Sequence, residues 1–214
     1  MKNKLFPVIT VRKGSSLKDK NIRPYKGKPL LVNCIEKCLE VFGEVCVISD
    51  SKEYAEIAIN AGANIVIDEE VASDEDVTVR LRKFAERTHI DGRIILCPCT
   101  SPNILLNSYK KVKEQSMTLA DDEIIISCTK ITQKPSAFYL KNEDGYLTTA
   151  IKNMPVVSVP RQQLESVYYY NGGITSFHIS QLKNNSLFKN AKLIPLILTE
   201  AEVLDIDSEK DFSL

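Results

Sequence analysis

Residues 44–68 read EVCVISDSKEYAEIAINAGANIVID, and this run decides the fold. EVCVISD (44–50) and NIVID (64–68) are short apolar runs of strand character. Between them, SKEYAEIAINAG (51–62) has helical character, with Ser51 placed to cap its start and Gly62 to stop it. The same alternation extends both ways. FPVITV (6–11) predicts a first strand. In KPLLVNCIEKCLEVF (28–42), Leu31, Cys34, Ile35, Cys38, Leu39 and Phe42 recur at helical spacing. Downstream, SDEDVTVRLRKFAER (73–87) predicts a helix capped by Ser73 or Asp74. RIILC (93–97), NSYKKVKEQ (107–115) and EIIISC (123–128) continue as strand, helix and strand. This rhythm predicts an α/β fold with a mainly parallel sheet covered by helices on both faces.

The rhythm breaks near residue 130. SAFYLKNEDGYLTTA (136–150) predicts a hairpin turning at Glu143-Asp144-Gly145. VVSVP (156–160), GITSFHI (173–179) and KLIPLIL (192–198) predict further short strands. Residues 133–170 read as an excursion from one domain spanning 1–214, returning to the sheet through a turn at Asn171-Gly172-Gly173. The tyrosines 168–170 and the valines of VVSVP give this excursion more apolar surface than a small hairpin buries, which predicts association through it.

Lys+Arg and Asp+Glu each number 28, for a formal net charge of zero, which argues against a nucleic-acid binder working through a general basic field. No apolar run approaches the length of a membrane span. The apolar segment in MKNKLFPVITVRKG (1–14) is too short for a signal peptide, so the expected location is the cytoplasm. The six cysteines and two histidines lack zinc-site spacing and read as buried thiols and isolated imidazoles. Cys97-Pro98-Cys99 falls at a strand end and leaves a reactive-thiol reading open.

In open α/β sheets, ligands bind beyond the carboxyl ends of the strands. That rule selects the loops 12–23, 49–51 and 97–103 and the segment around 171. VRKGSSLKDKN (11–21) follows the first strand, and Arg12, Lys13, Lys18, Lys20 and Arg23 gather there against Asp19 alone. Gly14, Ser15 and Ser16 add small side chains and accessible backbone N–H groups, a surface suited to polyphosphate or, equally, to plain solvation. LDID (204–207) places Asp205 and Asp207 at i, i+2, on one side of an extended segment, where they form either a Mg²⁺ site or a solvated acidic turn. In PRQQLESVYYYNGG (160–173), Arg161 offers a planar fork for a carboxylate or phosphate. Gln162, Gln163 and Asn171 offer amides for hydroxyls and carbonyls.

Taken in order, R-x-G-S (12–15), K-N (20–21), GKPLL (27–31), VISD (47–50), ASD (72–74), TSP (100–102), PRQQL (160–164), NGG (171–173) and LDIDSEKDF (204–212) resemble the sugar nucleotidyltransferases that make CMP-sialic acid, the acylneuraminate cytidylyltransferases. GKPLL is shared with the CMP-Kdo enzymes. The resemblance implies a Rossmann-like nucleotidyltransferase fold with a protruding dimerisation arm. It implies transfer of CMP from CTP to the anomeric hydroxyl of a nine-carbon 2-keto sugar acid, with release of pyrophosphate, by a Mg²⁺-dependent homodimer. By position, Arg12, Ser15, Lys20 and Asn21 would hold CTP, with Ser73 near its cytosine and ribose. Arg161, Gln162, Gln163, Asn171, Leu187 and Phe188 would surround the sugar. Asp205 and Asp207 would hold Mg²⁺, and Arg12, Lys20 and Asp207 would carry the chemistry. Lys20 is expected to face solvent in the empty protein. Two departures stand out: the first loop is one residue shorter, with Ser16 in place of a lysine, and Pro98 stands in place of a glutamine. Lys13 or Lys18 are the candidates to replace the lost charge. A CMP-Kdo-type enzyme, or a relative impaired in catalysis, is the alternative implied.

Overall fold

The computed structural model describes residues 3–13, 17–68, 76–151, 165–183 and 191–213. In chain order its elements begin with β1 (Leu5–Val11), a one-turn helix at Lys20–Ile22, and the short ribbon β2 (Pro24–Tyr25) and β3 (Lys28–Pro29). There follow α1 (Leu30–Phe42), β4 (Cys46–Ser49), α2 (Lys52–Asn60), β5 (Ile65–Asp68), α3 (Val77–Thr88), β6 (Arg93–Leu96), α4 (Leu106–Ser116) and β7 (Glu123–Lys130). The hairpin β8 (Tyr139–Lys141) and β9 (Leu147–Thr149) comes next, then β10 (Tyr168–His178) and β11 (Lys192–Ile197).

Seven strands form one sheet in the order β11-β7-β10-β6-β1-β4-β5. Every neighbouring pair is parallel except those of β10, which runs antiparallel between β6 and β7. The 44–68 run forms its expected strand, helix and strand, and Ser51 caps α2 by accepting from the Tyr54 backbone N–H. Both faces of the sheet are covered. Ile9, Val11, Val47, Ile95, Ile125 and Ile174 pack with Leu31, Ile35, Tyr54, Tyr109 and Val112 of α1, α2 and α4. On the other face, Val8, Ile48, Ile94 and Phe177 pack with Leu81, Phe84 and Ala85 of α3.

Two local expectations need correction. Helix α3 is capped by Asp76, not by Ser73 or Asp74; the Asp76 carboxylate accepts from the backbone N–H and the hydroxyl of Thr78 at 2.7 and 2.8 Å. Asn171-Gly172-Gly173 is not a turn between strands but a bulge inside β10. Tyr168–Tyr170 pair with β7, the register shifts, and pairing resumes at Thr175. Gly172 takes up the irregularity at φ +71°, a conformation open to glycine at little cost. The hairpin turns where expected, with Gly145 at φ +89° and its N–H donating to the Asn142 carbonyl. VVSVP lies outside the described residues.

Candidate functional site

The carboxyl ends of β1, β4 and β6 open onto the loops that carry Arg12, Asp50 and Cys97–Asn103, and the chain after β11 crosses back to meet them. That crossing is fixed in two places. First, Thr199–Glu202 forms a capped turn. Glu202 is 3% exposed, and its carboxylate accepts from the Leu105 and Thr199 backbone N–H groups and from the hydroxyls of Ser108 and Thr199. Burial alone would push this carboxyl up, but those hydrogen bonds outweigh it and hold it below the ordinary value. Second, the Ile206 backbone N–H donates to the Thr100 carbonyl at 2.9 Å, and the Ile206 side chain is fully buried against Tyr25 and Leu30.

With Ile206 turned inward, Asp205 and Asp207 are left exposed on either side of it, as the two-residue period requires. They lie close enough to influence one another. Although Asp205 is exposed overall, its carboxyl is partly desolvated by its surroundings, which pushes it up; the nearby Thr100 hydroxyl and Lys20 work against this, and the charge of Asp207 adds to the rise. Asp207 is braced from behind: Asp211 accepts from the Asp207 and Ser208 backbone N–H groups at 3.0 and 2.7 Å. The following turn is tied to the first loop by Arg23, which grips Glu209 with two 2.7 Å bonds and stacks 4.2 Å over Phe212.

Across from the aspartates sits the helical turn Lys20–Ile22. Lys20 Nζ donates to Asp207 Oδ1 at 2.6 Å and joins residues 187 apart in sequence. Its side chain is only 11% exposed, which corrects the expectation that it faces solvent. Asn21 is buried, its Nδ2 donating to the Arg12 carbonyl at 3.1 Å and its Oδ1 accepting from Cys99 Sγ at 3.3 Å. Arg12 itself is exposed directly after β1. Asp19 accepts from the Tyr54 hydroxyl at 3.1 Å. Lys13 donates through its backbone to Asp50 and through Nζ to Glu53, both at 2.9 Å, so its charge is directed to α2. Lys18 remains exposed.

Of the residues singled out in sequence, Arg12, Lys20, Asn21, Asp205 and Asp207 thus converge. Asn171 lies in the β10 bulge, where Oδ1 accepts from Ser127 at 2.6 Å and Nδ2 donates to Thr129 at 3.0 Å. Ser15, Ser73, Arg161, Gln162, Gln163, Leu187 and Phe188 lie outside the described residues, as do Ser16 and Gly14. Thr100 joins the site without having been assigned a role, and Cys99, left open as a reactive thiol, joins it through its bond to Asn21. The hydroxyl-rich run CTSPN (99–103) at a strand's carboxyl end was their available signal. All six cysteines are buried and free. Burial pushes the Cys99 thiol up, with Lys20 opposing only in part, so it stays protonated and serves as a hydrogen-bond donor rather than a nucleophile.

The two carboxylates fit a magnesium ion by the chemistry of their donors. Mg²⁺ takes one or two carboxylates and fills its remaining positions with water and substrate phosphates. A cation, in the form of the Lys20 ammonium, already lies against Asp207. Positive groups and a carboxylate pair at one edge suit a polyphosphate brought in with a divalent ion.

The family model for cytidylyltransferase matches residues 8–194. The N-acylneuraminate cytidylyltransferase of Escherichia coli O18:K1:H7 is 28% identical over 219 residues, covering 100% of this chain and 52% of that protein. The CMP-N,N'-diacetyllegionaminic acid synthase of Legionella pneumophila is 26% identical over 222 residues, covering 99% of this chain and 94% of that protein. This chain spans about half the length of the N-acylneuraminate cytidylyltransferases it matches. Among solved structures, a CMP:2-keto-3-deoxy-manno-octonic acid synthetase complexed with CTP shares the fold. Its TM-score is 0.70 at 19% identity, with 98% of this chain and 95% of that one covered.

Proposed function

The chain belongs to the cytidylyltransferase family, and on that premise we propose that it transfers CMP from CTP to the anomeric hydroxyl of a nine-carbon 2-keto sugar acid, releasing pyrophosphate. The observation that carries this reading is the Lys20–Asp207 contact, which joins the cationic loop to the carboxylate pair at the sheet's carboxyl edge. The relatives named above as N-acylneuraminate cytidylyltransferase and CMP-N,N'-diacetyllegionaminic acid synthase support the substrate class.

Both reactants are anionic, so the protein must offset repulsion while aligning them. Arg12 and Lys20 bind the triphosphate. Asn21, fixed at both ends of its amide, holds the loop's backbone in place for the nucleotide, with Ser15 and Ser73 completing that side. Arg161 fixes the sugar carboxylate. Gln162 and Gln163 read its polar groups, and Leu187 and Phe188 pack against it. Asn171, whose Oδ1 already accepts from Ser127 and the Gly173 N–H and whose Nδ2 donates to Thr129, has its second Nδ2 hydrogen to offer. Asp205 and Asp207 would hold magnesium, which would supply charge neutralisation and a lowered pKa for a bound hydroxyl. The anomeric hydroxyl attacks the α-phosphorus in line, giving up its proton to solvent water, and the bond to pyrophosphate breaks. No histidine base is required.

The active form is a cytoplasmic homodimer joined through the 133–170 arm. Tyr139, Leu140, Tyr146 and Leu147 of the hairpin are all more than two-fifths exposed and support such an interface. Among the described residues no helix is long and apolar enough to cross a membrane. Light scattering at micromolar concentration is expected to give twice the chain mass of 24.0 kDa; a single chain mass removes the arm's role. The nucleotide is tested by thermal shift. Mg-CTP is expected to stabilise the protein more than Mg-ATP, Mg-GTP or Mg-UTP, whereas an equal or larger shift with ATP or UTP contradicts the cytidylyl assignment.

A further inference from the structure

Lys20 and Asp207 do not meet by the chance reach of two long surface side chains. Lys20 is 11% exposed and stands on a one-turn helix whose next residue, Asn21, is buried and bonded to Arg12 and Cys99. Asp207 follows Ile206, which is fully buried and bonded to Thr100, and its backbone N–H is held by Asp211. Two separately anchored segments therefore press an ammonium to 2.6 Å from Oδ1 of one of the two carboxylates that suit magnesium. The same ammonium also acts on Asp205.

A carboxylate oxygen that accepts from an ammonium at this distance has that lone pair engaged, and the ammonium repels any second cation beside it. With Lys20 in place, the trio of Lys20, Asp205 and Asp207 carries a net charge of only −1. Lysine is a compact charge on a flexible four-carbon stem, able to swing between acceptors. An arriving triphosphate offers it more oxygen acceptors than Asp207 does.

We propose that Lys20 holds the metal's place on Asp207 until the triphosphate draws it away, so that the divalent ion enters with the nucleotide rather than ahead of it. This rests on the metal role given to Asp207 in the proposed function. Free divalent metal is thereby kept off a half-built site. The Asp207 oxygen is released only when phosphate oxygens are present to complete the coordination.

The test measures binding of Mn²⁺ alone, without nucleotide, by the loss of its free electron-spin resonance signal. Wild type is compared with Lys20→Gln, Lys20→Met, Lys20→Arg, Asp207→Asn and Lys20→Gln/Asp207→Asn, each checked for fold by circular dichroism. Lys20→Gln or, should it fold poorly, Lys20→Met is expected to bind Mn²⁺ about fivefold tighter or better, since a positive charge beside the site is gone. Lys20→Arg keeps the charge and is expected to stay within about twofold of wild type. The double variant is expected to lose the gain. Equal or weaker Mn²⁺ binding by the neutral variants, with Asp207→Asn still lowering wild-type binding, overturns the proposal while leaving the metal site intact. If Asp207→Asn leaves Mn²⁺ affinity unchanged in both backgrounds, the metal assignment falls and the proposal falls with it.

Discussion

Glu202 shows how a single side chain outside the reacting groups sets the site. Its carboxylate ties the turn after β11 to the start of α4, and the chain leaves that turn toward Asp205 and Asp207. Glu202→Gln keeps the size but puts an amide where Thr199 and Leu105 present donors. At neutral pH this is expected to cost about 2 kcal/mol, the range for hydrogen bonds to a charged group. Because the folded carboxyl lies below the ordinary glutamate value of 4.5, its stabilisation is fully present above that value and is lost as pH falls through the lower, folded one. Urea unfolding of both proteins is expected to show a gap at pH 7 that narrows in acid; a gap independent of pH removes the charge from the account. At this scale the sequence was legible where spacing dictates direction, as at Asp205 and Asp207. It was not legible where distant chain segments meet: Lys20 reads as a solvated loop lysine until Asp207, 187 residues away, is brought against it.

The strands of the main sheet and the helices α1–α4 between β1 and β7 were readable because each is a local pattern: an apolar run, a helical stripe, a capping serine; the short turn at Lys20–Ile22 and the β2–β3 ribbon were not read. Nor was β10. Asn-Gly-Gly is a strong local turn signal, but pairing with β7 on both sides of the bulge overrides it. What makes the bulge specific is Asn171, which accepts from Ser127 and from the Gly173 backbone N–H while donating to Thr129. Gly173 must be small: a Cβ there would lie 2.7 Å from Ser127 Oγ and 3.2 Å from Ile104 Cδ1. Ser127 is itself fully buried, so it has little room to yield. Gly173→Ala is therefore expected to destabilise the protein by about 1–3 kcal/mol, the usual cost of overpacking. A chemical-denaturation midpoint equal to that of wild type shows that the bulge adapts.

For the whole molecule, one sheet edge gathers chemistry from both ends of the chain. The cationic loop after β1 and the segment after β11 are joined through the Cys97–Asn103 loop, which donates from Cys99 to Asn21 and accepts at Thr100 from Ile206. Magnesium held at Asp207 and CMP transfer at this edge form the central claim, and loss of the carboxylate charge tests it most directly. Asp207→Asn keeps the shape of the side chain while removing the charge that holds and tunes the cation. The measurement is kcat for pyrophosphate release from CTP with a panel of 2-keto sugar acids at saturating Mg²⁺, with circular dichroism to confirm the fold. Wild type is expected to turn over CTP with at least one acid of the panel, and Asp207→Asn to be slower by about a hundredfold or more, several kcal/mol in the barrier. A folded variant that keeps more than about a tenth of wild-type kcat, a barrier change of only ~1.4 kcal/mol, would contradict the account.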